Sequence, residues 1–147
     1  MNPSQLAAEF LHDAPKTYAI WMRDWLIEEL PSFDRAVLAR CDDDSLAILA
    51  IREGTMNVFR RHGEALDMAD WGELRGAGLT THRNAVDGSL PLTGYTLWHP
   101  VFPRGGTLRI DIGDLDDEDR EQLPGELERF LDPRRAEGAW VPTGPLP

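Results

Sequence analysis

A chain of 147 residues has the common size of one domain and can bury a core without a disulfide or metal staple. Hydrophobic residues make up 41% of it and charged residues 28%, with five Trp and five Phe, a composition unlike that of disordered sequences. The net charge of −11, from 26 acidic and 15 basic residues, repels a phosphate backbone over about a Debye length, roughly 8–10 Å, so nucleic acid is not an expected partner.

Cys41 is the single cysteine, which excludes an internal disulfide and a multi-cysteine metal cluster and suits a reducing compartment. The start, Met1-Asn2-Pro3-Ser4-Gln5, lacks the basic and apolar regions of a secretory signal. No apolar run approaches the ~20 residues of a membrane-spanning helix. A cytoplasmic protein with no membrane partner is expected, folded as one domain over residues 1–147 with a Pro- and Gly-rich extended tail at 132–147.

In chain order, Ser4 is placed to cap a short helix reaching His12, with Leu6, Ala7, Phe10 and Leu11 on its buried side. Pro15 then opens a helix over residues 15–30, in which Tyr18, Trp21, Met22, Trp25 and Leu26 recur at three- and four-residue steps until Pro31 ends it. Ser32 suits the cap of a third helix over 33–41, with Phe33, Val37, Leu38 and Cys41 on one face and Asp42-Asp43-Asp44 as its stop. The next run, Leu46-Ala47-Ile48-Leu49-Ala50-Ile51, is too short to show a period. Its flanks favour a buried strand, a turn at Glu53-Gly54, and a partner strand over 56–61. The rival is a single helix over 45–62, which would carry Gly54 in its interior at a cost of about 1 kcal/mol relative to Ala.

Ala65, Leu66, Met68, Ala69, Trp71 and Leu74 suggest a helix interrupted near Gly72, after which residues 79–91 read mostly as loop. Residues 92–101 read as a strand, 102–106 as a hairpin turn, and 107–112 as a strand with Leu108, Ile110 and Ile112 toward the core. Asp114 or Asp116 can cap a last helix with Asp117, Glu118 and Asp119 in its first turn. Pro124-Gly125 should break or kink it, with Leu127, Phe130 and Leu131 continuing its apolar face. The fold expected is a single α+β domain with a helical N-terminal third and an antiparallel sheet of two or more hairpins, its helices packed on one face.

Catalytic signatures are absent. His12, His62, His82 and His99 show no spacing that puts two on one helix or strand face, so no metal and no cofactor is expected; His82 and His99 could still meet Asp87 or Asp111 in space. Ser89 lacks a nucleophile elbow and reads as a turn residue. Cys41, beside three aspartates, has the wrong field for a thiolate and reads as packing. The acidic run from Asp111 fails the calcium-loop pattern, with Asp119 and Gly125 where Gly and Glu are required. Gly105-Gly106 has no following helix to make a phosphate cradle.

What stands out is density. Asp111, Asp114, Asp116, Asp117, Glu118, Asp119 and Glu121 supply seven of eleven consecutive residues, where one or two would cap a helix. Trp98 and Trp140 are the aromatic candidates for an interface, since Trp is enriched at binding hot spots. These residues point to a small acidic module docking on a basic partner protein, as inhibitors, immunity factors, antitoxins and dedicated chaperones do. A second reading is an enzyme or small-ligand binder with a pocket lined by Trp and His82 or His99 between sheet and helices. A third is a subunit of a homomeric phage or secretion assembly, with the first two helices as its contact.

Overall fold

The computed structural model describes residues 1–53, 55–62, 65–69, 77–98 and 107–128. Two helices, α1 (Pro3–Phe10) and α2 (Lys16–Glu29), precede seven strands: β1 (Arg35–Cys41), β2 (Leu46–Arg52), β3 (Thr55–His62), β4 (Ala65–Ala69), β5 (Gly78–Arg83), β6 (Leu92–Trp98) and β7 (Thr107–Asp111). Helix α3 (Asp117–Glu128) follows. The strands form one sheet in the order β4-β3-β2-β1-β7-β6-β5, with every neighbouring pair antiparallel. It is two meanders, β1 to β4 and β5 to β7, joined where β1 meets β7.

Two cores lie on opposite faces of this sheet, because successive strand residues point to opposite sides. Val37, Ala39, Cys41, Leu49, Met56, Val58, Tyr95, Leu97, Leu108 and Ile110 pack with Leu123 and Leu127 of α3. Leu38, Ile48, Ala50 and Phe59 face the other way, into Leu6, Phe10, Met22, Leu26 and Leu30 of the N-terminal helices. Phe59 anchors that second core, with edge-to-face contacts to Trp25 (centroids 6.1 Å apart) and Phe33 (5.8 Å), each worth about 0.5–1.5 kcal/mol beyond its area.

The α+β class, the antiparallel hairpins and the β2–β3 pairing across Glu53-Gly54 all stand, and the rival single helix over 45–62 does not. Glu53 takes a positive φ of 46°, as a tight hairpin turn requires. The placement of helices is corrected: α1 and α2 cover one face and α3 the other.

That two-sided cover also explains why the expected third helix over 33–41 is instead β1. Val37, Leu38 and Ala39 are all buried, one or two to each core, so the strand reads as a continuous apolar run with no alternation to reveal it. Ser32 caps nothing; its hydroxyl donates to the Glu29 carbonyl at 2.7 Å in the 3₁₀ turn Leu30–Ser32 that ends α2. The aspartate cluster is a hairpin turn, with Asp44 at φ 64° and the Asp43 carboxylate accepting from the Ser45 amide (3.1 Å) and hydroxyl (2.6 Å).

Other boundaries move too. α1 is capped by Asn2 in a reciprocal capping box with Gln5, two residues before Ser4 would place it. Residues 65–69 form β4, paired to β3: four good helix formers around Asp67 give too short a window to show a period, and the exposed edge of β3 overrides their propensity. The rest of that expected helix, 70–76, lies outside the described residues.

The expected loop over 79–91 contains most of β5. It then turns at Asp87 (φ 47°) and Gly88 (φ 79°), with Val86 and Ser89 exchanging backbone hydrogen bonds and the Ser89 hydroxyl donating to the Val86 carbonyl at 2.7 Å. β7 ends at Asp111, and Ile112 enters a 3₁₀ turn (Ile112–Asp114) while still packing against the core. Helix α3 runs through Pro124-Gly125 without ending, because buried Leu123 and Leu127 hold both sides of the proline to the sheet. Phe130, Leu131, the turn at 102–106 and the tail at 132–147 lie outside the described residues.

Candidate functional site

Arg35, the first residue of β1, points toward α3. Its guanidinium donates through Nη1 to Asp119 and through Nε to Glu126, so one side chain clamps two turns of the helix. The clamp is mostly shielded, its side chains 10%, 10% and 17% exposed. Burial pushes the Asp119 carboxyl above its ordinary range, and Arg35 offsets only part of that. Asp116 is the N-cap: its carboxylate accepts the Asp119 amide at 2.9 Å, which with the Met1 amino group at 3.3 Å holds its pKa below the usual carboxylate value.

The acidic segment therefore divides into carboxylates the fold uses and carboxylates it does not. Asp111 is half-buried and pairs with Arg40 at 3.7 Å and Arg109 at 3.5 Å, and Asp116 and Asp119 are committed as above. Asp117 is fully exposed with Arg120 at 3.9 Å, a pair worth little in water. Asp114 is half-buried, and Glu118 and Glu121 are exposed; none of these three has an ion-pair partner among the described residues. Asp34 adds to the same end of the sheet, where its carboxylate accepts the amide of exposed Glu53 at 3.1 Å. Between α1 and α3 here is a cavity of about 200 Å³ bordered by Leu6, Phe33, Arg35, Asp116 and Glu118.

Trp98 is half-buried on β6, and its indole N–H donates to Thr80 Oγ1 at 3.4 Å. Beside it His82 Nε2 lies 2.7 Å from Thr96 Oγ1, so Trp98, Thr80, Thr96 and His82 share the face of the β5–β6 hairpin turned away from α3. Asp111 lies on that same face across Gly94, while the His82 ring is engaged with Thr96. Trp140, His99 and the side chain of His62 lie outside the described residues, and exposed His12 sits 3.0 Å from the Glu9 carbonyl. A second cavity, about 400 Å³, is bordered by His12, Asp13, Arg40, Asp44, Ser45 and Arg61. No group of three or more metal-ligating side chains occurs among the described residues, and no described helix is long and apolar enough to cross a membrane.

Arg35 and Glu126 escaped the sequence reading. A signal was there: Asp119 and Glu126 fall at i and i+7, on the same helical stripe as Leu123 and Leu127. Acids on an apolar stripe call for a buried cation. Compared with known family models, curated proteins and solved structures, the chain has no significant match, so a functional reading has to rest on the surface just described.

Proposed function

We propose that the chain is a small acidic protein-binding module, of the inhibitor, immunity, antitoxin or chaperone kind, docking on a basic surface of a partner protein through the start of α3. The observation that carries this reading is the division of carboxylates there. Arg35 and the Asp116 cap hold the helix start in one geometry, while Asp117, Glu118 and Glu121 stay in water. A rigid element presenting like charges that, among the described residues, only Arg120, beside Asp117, offsets is suited to steer a basic partner and to fix its register at low ordering cost.

The test is association kinetics after capture of a partner by pull-down. Replacing Asp117, Glu118 and Glu121 with Ser, and leaving the Asp116 cap intact, should slow kon and flatten its dependence on ionic strength with little change in koff. An unchanged kon at low salt would return these residues to a solvated helix start.

The second reading, a small-ligand site, draws its support from the His82–Thr96 and Trp98–Thr80 pairs on one sheet face. A fragment screen by NMR that moves the His82 and Thr96 resonances would favour it over the docking module.

A further inference from the structure

Helix α2 leaves its own apolar side chains in water. Trp21 is 65% exposed, Ile20 53% and Ile27 36%, although Met22, Leu26 and the following Leu30 are fully packed. Ile20 and Ile27 lie at i and i+7 on the ridge Lys16, Ile20, Arg23, Ile27. Trp21 is on the adjoining ridge with Thr17, Asp24 and Glu28. Trp21 is braced by Tyr18, the rings 6.5 Å apart, so it projects as a fixed anchor.

The charges on this face are ordered along the helix. Lys16 stands at its start, Arg23 and Asp24 at its middle, and Glu28 at its end; all four are exposed, and none has an ion-pair partner among the described residues. Laid against itself in the opposite direction, the helix becomes self-complementary. A two-fold axis beside Arg23 and Asp24 sets Ile20 on Ile27 of the second copy and Arg23 on Asp24, and brings the long Lys16 side chain within a turn of Glu28. Parallel pairing would instead set acids on acids. That is the symmetry of an isologous dimer, in which each contact occurs twice.

We propose that α2 is a homodimer interface, in which two copies of this chain pack their α2 helices antiparallel with Trp21, Ile20 and Ile27 at the centre. The proposal is independent of the docking surface at α3, which lies on the opposite sheet face. One crossing pair of short helices buries less than the ~800 Å² per partner of a standard interface, so the dimer is a weak, reversible one.

Sedimentation velocity of the full chain from about 5 to about 500 μM should show monomer passing to dimer. Ile20→Ser with Trp21→Ser should raise the dissociation constant at least about tenfold with an unchanged circular dichroism spectrum, since both side chains are exposed. Arg23→Asp alone and Asp24→Arg alone should each weaken the dimer, and the double exchange should restore it, because the pair then forms with its signs reversed. The Asp117, Glu118 and Glu121 to Ser variant should dimerise as the wild type does. A chain that stays monomeric at the top concentration, including one that captures a different protein through α2, overturns the proposal. So does a dimer indifferent to Ile20→Ser with Trp21→Ser, or a double exchange that fails to recover.

Discussion

Replacing Arg35 with Met keeps the bulk of the side chain on β1 and removes the charge that neutralises Asp119 and Glu126. Both carboxylates are largely shielded, 10% and 17% exposed, and would then face an apolar neighbour. Leaving one partner of a buried pair uncompensated costs about 3–5 kcal/mol. Protonation limits that cost, since taking a carboxylate from its ordinary range to its neutral form at pH 7 requires at most about 4 kcal/mol. A loss of about 3 kcal/mol is expected, a large fraction of the roughly 5–15 kcal/mol that holds a domain folded. In urea, with a slope of about 2 kcal/mol per molar, the midpoint should fall by about 1.5 M.

The pH dependence of the gap between the two proteins carries the mechanism. Without Arg35 the folded-state pKa of Asp119, already raised by burial, rises further above its unfolded value. A carboxylate raised on folding adds stability fully present below its unfolded pKa and lost as pH climbs through the folded one. The deficit of Arg35→Met should therefore be largest near pH 7 and shrink toward pH 5. Converting the whole clamp to apolar side chains (Arg35→Met, Asp119→Leu, Glu126→Leu) should recover most of the loss. A deficit under about 1 kcal/mol at pH 7, or one that does not change between pH 7 and pH 5, would refute this account of the clamp.

Gly94→Ala should cost about 1–3 kcal/mol by thermal melting, because the new Cβ would lie 2.5 Å from the Ile110 carbonyl oxygen on β7, where backbone must yield. Gly125→Ala, whose Cβ meets nothing within 4 Å inside α3, should instead stabilise by about 0.5–1 kcal/mol; a destabilised Gly125→Ala would mean the helix there is not as described. Burial raises the Cys41 thiol pKa, so the native protein at pH 8 should resist a thiol reagent that labels it quickly in denaturant. Full labelling without unfolding would contradict that.

Composition and periodicity carried the reading where one face of an element met water. Helix α2, with Met22 and Leu26 inward and Lys16, Asp24 and Glu28 outward, could be read this way, as could β7, with Leu108 and Ile110 inward beside Arg109. They failed where both faces were covered. Val37, Leu38 and Ala39 are all buried because cores lie on either side of β1, and three adjacent apolar residues fit a helix face equally well. β4 failed for another reason, since pairing with the open edge of β3 is a tertiary event that Ala65 and Leu66 do not announce. At the site, the acids were visible as a run, but the run conceals two populations. Which carboxylates are spent on Arg35, Arg40 and the helix cap depends on partners up to 91 positions away in the chain.

The sheet order also fixes how the molecule is stitched together. Every strand pairs with its neighbour in the chain except at the junction of β1 and β7, where Arg40 meets Arg109, 69 positions apart, and Cys41 meets Leu108, 67 apart. Each meander can zip up from its own turns, whereas joining them must close a long loop before any contact repays it. Refolding is then governed by the docking of two preformed halves, and substitutions along that junction should slow folding more than those in the hairpins. The Arg35 clamp belongs to the same event, because it ties the last helix back to the first strand. The N-terminal half carries α1, α2 and four strands, and the C-terminal half three strands and α3. A chain cut between Ala69 and Gly78 would sever none of the described strands, leaving two complementary fragments whose reassembly depends on this junction and the two cores.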